Sequence, residues 1–350
     1  RKDWNVPLEH FIFMEYFIVE KSYMWDKIRE ILEYKAAEGV EIRFMYDGMC
    51  SISMLPYHYP EKLKEKGIKC KMFNPVKPVL STQQNNRDHR KICVIDGKVG
   101  FTGGINLGDE YINRKERFGH WKDTAVMLKG DAVRSLTILF LQMWNVSEKQ
   151  PEFYGKYLVK KSEELKREFG YVIPYGDSPF DNENVGEEVY FHILNHAKKY
   201  VHIMTPYLIL DNEMLTTLTR TAKSGIEVII IMPHIPDKKY AFALAKTYYE
   251  ELLEAGVQIY EYTPGFVHAK VFVSDDDTAT VGTINLDYRS LYLHFECGVF
   301  IYHNRVVDDI ERDFQHTLAK CHKVSVSEVK HRNFVNKACG QILRLVAPLM

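Results

Sequence analysis

Two segments of the sequence carry the same arrangement of reactive side chains, in the pattern H-x-K-x-x-x-x-D. The residues of the pattern are His89, Lys91 and Asp96 in the first segment and His268, Lys270 and Asp275 in the second. Imidazoles attack electrophiles and exchange protons near neutral pH, and ammonium groups stabilise negative charge that develops on oxygen. One such pattern arises easily by chance, whereas two copies in one chain favour a catalytic pair. These residues are therefore the candidate catalytic groups.

The repeated pattern extends further along the chain, because GGIN follows the first copy and GTIN follows the second. Asn106 follows His89 at the same distance along the chain at which Asn285 follows His268. Small residues let the backbone approach a ligand closely, and amides donate hydrogen bonds to phosphate oxygens. The predicted residues that bind the substrate phosphate are Asn106, Asn285, Gly104 and Thr283.

A carboxylate follows each copy of the pattern, as Asp123 in HWKD and as Glu296 in HFE. A carboxylate on the far ring nitrogen of a catalytic histidine fixes the tautomer of the ring, as in a catalytic triad. We predict that Asp123 and Glu296 orient the two histidines. Asp96 and Asp275 stay open between a catalytic role and the anchoring of a turn, and the turn is favoured because Asp is common in turns.

These side chains fit the chemistry of a phosphodiester. A phosphoryl group in transfer carries negative charge on its non-bridging oxygens, which two ammonium groups and two amides can stabilise. One imidazole can attack phosphorus and form a phosphohistidine, while the opposing imidazole protonates the leaving alkoxide and then deprotonates the incoming alcohol or water. Because lysine and asparagine stabilise the charge, we predict neither a metal ion nor another cofactor.

The elements that must hold these residues are also repeated. Each copy has an apolar strand, a helix that ends at a glycine, and a second strand. The predicted bounds are a strand at 11–18, a helix from a Ser22 cap to Gly39 and a strand at 39–47, and then a strand at 201–210, a helix from an Asn212 cap to Gly225 and a strand at 225–233. We predict an α/β fold of two pseudo-symmetric halves, each a mostly parallel or mixed sheet flanked by helices, with the active site at their interface.

The boundary between the halves is predicted at residue 168, which divides the chain into 1–168 and 169–350. The charged segment 160–170 beside this boundary is typical of a solvated helix. The apolar stretch 136–144 is predicted to form a helix in the core between the halves, in preference to an element on a membrane surface.

Composition restricts the class of partner. The chain has 46 Lys and Arg against 47 Asp and Glu, a formal net charge of −1. Nucleic-acid binders usually carry a basic excess, because phosphate contacts supply much of their affinity, so the charge favours lipid over nucleic acid. The six cysteines form no C-x-x-C pair, which indicates free thiols and a reducing compartment.

No stretch of the sequence reaches the roughly 18–20 apolar residues that a bilayer-spanning helix needs. The chain begins with Arg1 instead of Met, so we expect a fragment whose membrane anchor lies upstream.

The paired motifs, each followed by G-[GT]-x-N, resemble the phospholipase D superfamily. Over essentially the whole chain, the sequence is similar to bacterial cardiolipin synthases. The segments that carry this similarity are 85–111, 177–182, 197–209, 282–296 and 344–350.

The resemblance implies transfer of a phosphatidyl group from one phosphatidylglycerol to another, which yields cardiolipin and glycerol. It implies that His89 is the nucleophile and that His268 is the general acid and base. It also implies which residues bind phosphate, namely Lys91, Lys270, Asn106 and Asn285. The residues that it implies orient the histidines are Asp123 and Glu296. The implied partner is membrane lipid and the implied location is the bacterial cytoplasmic membrane. Because Gly104 stands where the second half has Thr283, a hydroxyl contact to phosphate is expected from one side only.

Two other functions stay open at this point. The same histidines would serve a phospholipase D-type hydrolase of lipid or nucleic acid, which differs only in whether water or an alcohol reaches the phosphohistidine. An inactive membrane-binding scaffold belongs to a different class, and we would expect such a relative to lose a His or Lys from one motif. The presence of all four of these residues argues against the scaffold.

Overall fold

The computed structural model describes residues 10–76, 82–158, 168–331, 340–341, 343–345 and 347. The strands before residue 130 are β1 (Phe11–Tyr16), β2 (Glu41–Asp47), β3 (Lys69–Phe73), β4 (Lys91–Ile95), β5 (Val99–Gly103), β6 (His120–Lys122) and β7 (Ala125–Lys129). The α-helices of the same half are α1 (Tyr23–Ala37), α2 (Cys50–Ser53), α3 (Tyr59–Lys64) and α4 (Val133–Asn145), and short 3₁₀ turns lie at Thr82–Asn85, Asp109–Ile112 and Tyr154–Tyr157.

The strands after residue 170 are β8 (Tyr171–Asp177), β9 (Tyr200–Met204), β10 (Glu227–Pro233), β11 (Gln258–Tyr262), β12 (Gly265–Val267), β13 (Val271–Ser274), β14 (Thr278–Gly282), β15 (Glu296–Tyr302) and β16 (Cys321–Lys323). The helices are α5 (Val185–His196), α6 (Asn212–Lys223), α7 (Lys239–Ala245), α8 (Tyr249–Glu254), α9 (Tyr288–Tyr292), α10 (Val306–Leu318) and α11 (Val326–Lys330).

The two halves have equivalent mixed sheets. The first sheet has the strand order β3-β2-β1-β4-β5-β7, and the second has β11-β10-β9-β13-β14-β15 with β16 and β8 added at its edges. In each sheet the first three strands of this order run parallel and the next three join antiparallel. The predicted fold of two similar α/β halves is confirmed. The division at residue 168 stays a prediction.

The predicted caps and strand ends differ from the structure at several points, of which two have a clear physical reason. Ser22 caps α1 as predicted, since its side chain accepts a hydrogen bond from the amide of Trp25. In α6, however, the cap is Asp211 instead of Asn212, because the carboxylate of Asp211 accepts from the third helical amide at 2.7 Å. The strand predicted at 201–210 ends as β9 at Met204, just before Pro206, which has no amide hydrogen to donate.

The largest apolar cluster lies between the halves. It joins residues of the first sheet such as Phe13, residues of the second such as Val271 and Val299, and the buried face of α4 with Leu136 and Phe140. The prediction that the stretch 136–144 forms core between the halves is confirmed. The outer face of the first sheet packs against α1 and α3, and that of the second packs against α5, α6 and α8. The molecule is thus layered as helices, sheet, central core, sheet and helices.

Several predictions fall partly or wholly outside the described residues. Residues 160–167 of the helix predicted at 160–170 lie outside them. So do Cys339, predicted as a free thiol, and most of the segment 344–350, which contributes to the family resemblance. The five described cysteines are free. Within the described ranges, each helix is too short or too polar to cross a bilayer.

Candidate active site

The two halves exchange backbone hydrogen bonds next to the histidines of both motifs. The strand β12, which leads into His268, pairs in parallel with β6 of the first half. Asp88, which precedes His89, forms an isolated parallel bridge with Phe295 of the second half. The amide of His268 donates to the carbonyl of Lys122 at 2.7 Å, and the amide of His89 donates to the carbonyl of Phe295 at 2.9 Å. Each histidine therefore lies against the segment that carries the carboxylate of the other half.

The carboxylates bind the histidines crosswise. Nδ1 of His89 lies 2.8 and 2.9 Å from the two carboxylate oxygens of Glu296, and Nδ1 of His268 lies 2.7 Å from Oδ2 of Asp123. An ionised carboxylate can only accept, so opposite an ionised partner Nδ1 carries the hydrogen and Nε2 keeps its lone pair. The structure thus places both residues predicted to orient the histidines, and each acts on the half to which it does not belong.

The two lysines lie beneath the histidines and are almost fully buried, at 2% exposure each. The Nζ atom of Lys91 donates to the carbonyl oxygen of His89, and that of Lys270 donates to the carbonyl of His268. Burial lowers the pKa of Lys91 to about 8 and that of Lys270 to about 7. A bound phosphate would oppose this effect, because an anion nearby favours the charged form of a lysine.

Both imidazoles are neutral in the site as it stands. Burial, followed by the charge of Lys270, lowers the pKa of His268 to about 4, although Asp123 opposes the change. Burial and the charge of Lys91 lower the pKa of His89 well below its ordinary value. A neutral imidazole has a free lone pair on Nε2, which is what attack on phosphorus requires.

The two carboxylates differ in charge state. Burial opposes the ionisation of Asp123, but the charge and hydrogen bond of His268 outweigh it and hold the pKa at about 2. Burial dominates at Glu296 and raises the pKa of that carboxyl to about 7, against the charge of Lys91. Asp123 is therefore a full anion at neutral pH, whereas Glu296 is close to its own titration.

The two asparagines are buried beside the motifs, and other side chains hold their amides. Asn106 accepts from the amide of Ile18 and donates Nδ2–H to the hydroxyl of Tyr111, both at 3.0 Å. Asn285 donates Nδ2–H to Oγ of Ser290 at 3.0 Å. Each Nδ2 has a second hydrogen, so their predicted role in phosphate binding stays a prediction.

Gly104 and Thr283 contact the two carboxylates, and their predicted role in phosphate binding stays a prediction. Thr283 is fully buried, and its hydroxyl donates to Glu296 and accepts from the amide of Cys297. At Gly104, an added Cβ would overlap Oδ1 of Asp123. These two residues therefore help to position the carboxylates, Gly104 by leaving space for Asp123 and Thr283 by its hydrogen bond to Glu296.

Asp96 and Asp275 lie at the far ends of β4 and β13 from the histidines, which favours the turn role over the catalytic role for both residues. Both have left-handed backbone conformations, with φ of 53° and 56°, as turn residues do. Asp96 accepts from the amides of His10 and Phe11. Asp275 accepts from the three amides that begin β9, which are Lys198, Lys199 and Tyr200. Both aspartates therefore anchor the start of a neighbouring strand from a turn, which agrees with the turn-anchoring role that the sequence favoured over a catalytic role.

Among the rings that contact the histidines, two with ring N–H groups are absent from the predicted site residues. The ring of Trp121 lies 5.1 Å from that of His268, and the ring of His294 lies 5.6 Å from that of His89. Aligning HWKD with HFE on their carboxylates would have revealed both, because Trp121 and His294 then occupy the same position.

Two equivalent α/β halves that share one buried site of paired histidines and lysines define a phospholipase D-like protein. A family model described as cardiolipin synthase, PLD-like domain, matches residues 9–144 and 190–318. The chain belongs to this cardiolipin synthase family, and membership implies a phospholipid substrate.

Individual relatives agree with this assignment. An uncharacterized protein of Streptococcus mutans is 56% identical over 342 residues, which cover 98% of this chain and 74% of that protein. A cardiolipin synthase of Alkalihalophilus pseudofirmus is 39% identical over 343 residues, covering 98% of this chain and 68% of the relative. The crystal structure of a phosphatidylserine synthase of Haemophilus influenzae has the same fold, with a TM-score of 0.72 at 16% identity, over 98% of this chain and 89% of that one.

Proposed function

We propose that this chain is a cardiolipin synthase, which transfers the phosphatidyl group of one phosphatidylglycerol to a hydroxyl of a second and releases glycerol. The observation that carries the proposal is a pair of carboxylate-bound imidazoles on which the charges of the same two buried lysines act, in a chain of the cardiolipin synthase family. Either motif by itself would supply a nucleophile or a proton donor, whereas transfer through a covalent intermediate needs both.

In the first step, Nε2 of His89 attacks phosphorus, and the bond between phosphorus and the glycerol oxygen breaks. His268 gives its Nε2 proton to that oxygen, so glycerol leaves as a neutral alcohol. His268 must be protonated for this step. The negative charge of the bound phosphodiester favours the imidazolium, because it offsets the charge of Lys270 that otherwise depresses the pKa of His268.

In the second step, neutral His268 removes the proton from a headgroup hydroxyl of the second phosphatidylglycerol. The resulting oxygen attacks phosphorus, the bond to His89 breaks, and cardiolipin leaves with the phosphodiester restored. His268 is again protonated, so the cycle consumes no net proton. Transfer prevails over hydrolysis when the lipid hydroxyl reaches the phosphohistidine before water does.

The charge states of the carboxylates support this division of roles. The acid and base must carry a positive charge for part of the cycle, and the fully ionised Asp123 stabilises an imidazolium on His268. The nucleophile must stay neutral until it attacks. Glu296, with a pKa raised to about 7, stabilises positive charge on His89 less strongly.

The charge on the non-bridging oxygens would be stabilised by Lys91 and Lys270, with Asn106 and Asn285 as further donors. We propose that the chain acts at a lipid surface, in the cytoplasmic membrane of a bacterium, because both substrates of the reaction are membrane lipids.

The test is incubation of the chain with phosphatidylglycerol in vesicles or detergent, followed by separation of the lipids and assay of free glycerol. Cardiolipin and glycerol in equal amounts are expected. Phosphatidic acid as the sole product would identify a hydrolase in place of a synthase. If neither product forms, with vesicles still bound, the inactive scaffold replaces the proposal.

A further inference from the structure

His294 occupies the position in the second half that Trp121 occupies in the first. The amide of His89 donates to the carbonyl of Phe295 as the amide of His268 donates to that of Lys122, and these two bonds align the segments. His294 precedes Phe295 just as Trp121 precedes Lys122. Each therefore packs beside one histidine, next to the carboxylate that binds it.

The polar groups of these two side chains are satisfied differently. Trp121 donates its indole Nε1–H to Oδ2 of Asp123 at 3.3 Å. His294 has a side chain only 10% exposed, and its Nδ1 lies 3.8 Å from Oε1 of Glu296, beyond hydrogen-bonding distance. Neither ring nitrogen of His294 has a hydrogen-bond partner among the described residues. Buried polar groups are nearly always paired, so a neutral imidazole with both nitrogens unpaired points to a ligand.

A metal ion is one ligand that the composition of the site would allow. Ligand atoms of His89, His294 and Glu296 all lie within 4.8 Å of one another, and two histidines with a glutamate can bind zinc. A cation there would meet the charges of Lys91 and Lys270, which already lower the pKa of His89. It would also have to break the hydrogen bond between His89 and Glu296. The same positive charges attract an anion, so the site suits an oxygen of a phosphoryl group.

We propose that His294 is a further catalytic residue, which donates a ring N–H to an oxygen of the phosphoryl group carried on His89. The inference rests on the proposed function, since it needs phosphorus at His89. In that arrangement the second half contributes one more donor to the phosphoryl group than the first half, in which Asp123 already accepts the N–H of Trp121.

The charge state of His294 suits a neutral donor. Burial lowers the pKa of His294 to about 3, with His89 adding to the effect and Glu296 opposing it. The other charged groups that act on the ring are Arg289 and Lys91. Because His294 stays neutral above about pH 4, its contribution should be constant across the pH range in which the reaction is assayed.

The experiment measures inhibition by orthovanadate, a phosphate analogue, in the transfer assay with a short-chain phosphatidylglycerol. Two variants are compared with the unmodified chain: His294→Ala, which removes the donor, and His294→Gln, which restores one. His294→Ala should raise the vanadate inhibition constant and lower kcat/KM, each by about 10–100-fold, as loss of a hydrogen bond to a charged group does. His294→Gln should recover most of both effects, and neither variant should shift the pH profile.

Trp121→Phe is the matched control at the equivalent position of the other half. It removes an N–H that Asp123 accepts, so it should change the pH profile through His268 and leave vanadate inhibition within about threefold. Circular dichroism and thermal unfolding of each variant establish that it is folded.

The outcomes separate this inference from the proposed function. If vanadate inhibits the unmodified chain and both His294 variants equally, the role of His294 is wrong while the phosphoryl site stands. Failure of His294→Gln to recover what His294→Ala loses would mean a packing role and overturn the inference. Zinc binding by calorimetry that disappears in His294→Ala, with vanadate inhibition unchanged, would replace the donor by a metal site. If the unmodified chain neither transfers nor responds to vanadate, both proposals fail.

Discussion

The two histidines of the site are bound by carboxylates that differ in their neighbours and in their charge state. On one side, Asp123 fits against Gly104 and is a full anion that accepts from His268 and Trp121. On the other side, Glu296 accepts from Thr283 and His89 and is close to its titration at neutral pH.

The longer carboxylate, the threonine and the unpaired imidazole of His294 all lie on the side of His89. A duplicated fold has therefore kept the geometry of the pairing while the charge of the two pairs has diverged. The difference teaches that pseudo-symmetry of backbone does not imply equal chemistry. Burial raises the pKa of both carboxyls, and the charge and hydrogen bond of His268 outweigh it at Asp123, whereas the charge of Lys91 and the hydroxyl of Thr283 do not outweigh it at Glu296.

The largest effect should come from removing each histidine in turn. Both His89→Ala and His268→Ala should lower kcat by about 10⁴-fold or more, because each removes a reacting group. Acid quenching of a reaction with radiolabelled lipid should find no phosphoenzyme in His89→Ala. In His268→Ala, given a substrate whose leaving group needs no proton, the phosphoenzyme should accumulate. The opposite pattern would exchange the roles of the two halves.

Replacing the carboxylates should lower kcat less than replacing the histidines does, and by a different factor for each carboxylate. Asp123→Asn should lower kcat by about 10³–10⁴-fold, because an amide at this place favours the wrong tautomer of His268 and cannot stabilise its imidazolium. Glu296→Gln should cost about 10–100-fold, because the native carboxyl is itself partly protonated at neutral pH. Steady-state kinetics at pH 7.5 tests this, with thermal unfolding to check the fold. Equal losses of kcat in the two variants would show that the two carboxylates contribute equally to catalysis.

The same two variants should differ in how their stability responds to pH. The pKa of Glu296 is raised to about 7 by folding, so the native state binds its proton more tightly than the unfolded state. Stability from this group is present below about pH 4.5 and is lost as pH rises to about 7. Glu296→Gln should therefore gain about 2–3 kcal/mol relative to the unmodified chain between pH 5 and pH 8.

Asp123 provides the control for this measurement, since its folded pKa of about 2 lies below its unfolded value. The stability that it contributes is present above about pH 4 and is lost only as pH falls towards 2. The difference between Asp123→Asn and the unmodified chain should stay constant from pH 5 to pH 8 in urea unfolding. A parallel drift in both variants would mean that neither carboxyl is the cause.

The smallest effect on catalysis is expected at the aspartates that end the two motifs. Asp96→Asn and Asp275→Asn should each destabilise the fold by about 1–2 kcal/mol, because their carboxylates accept strand-initiating amides. The kcat of the folded protein should stay within about twofold of the unmodified value. A loss of kcat near that of Asp123→Asn, at unchanged stability, would return them to the catalytic residues.

The repeated histidines and lysines could be predicted from the sequence because local spacing carries them. His89 and Lys91 lie two residues apart on an extended segment, and the same holds for His268 and Lys270. The presence of two similar α/β halves also followed from the repeat, since similar patterns of strand, helix and glycine fold alike.

The partners of the histidines could be predicted as Asp123 and Glu296, but not which of the two binds which histidine. Glu296 lies 207 residues from His89 along the chain, and no local pattern states that the carboxylates exchange halves. The contacts of Gly104 and Thr283 with the carboxylates could not be predicted for a related reason. A small residue after a motif can admit a ligand or a neighbouring carboxylate, and only the packing of the two segments decides which.

The exchange of strands and carboxylates between the halves has a consequence for how the protein comes into being. While the chain is being made, His89 emerges from the ribosome long before the residue that will hold its ring, and Asp123 waits in turn for His268. The nascent chain thus carries no finished reactive centre until its second motif and the glutamate beyond it have been synthesised. Pairing of β6 with β12 then brings Asp123 to His268, and the bridge between Asp88 and Phe295 brings Glu296 to His89.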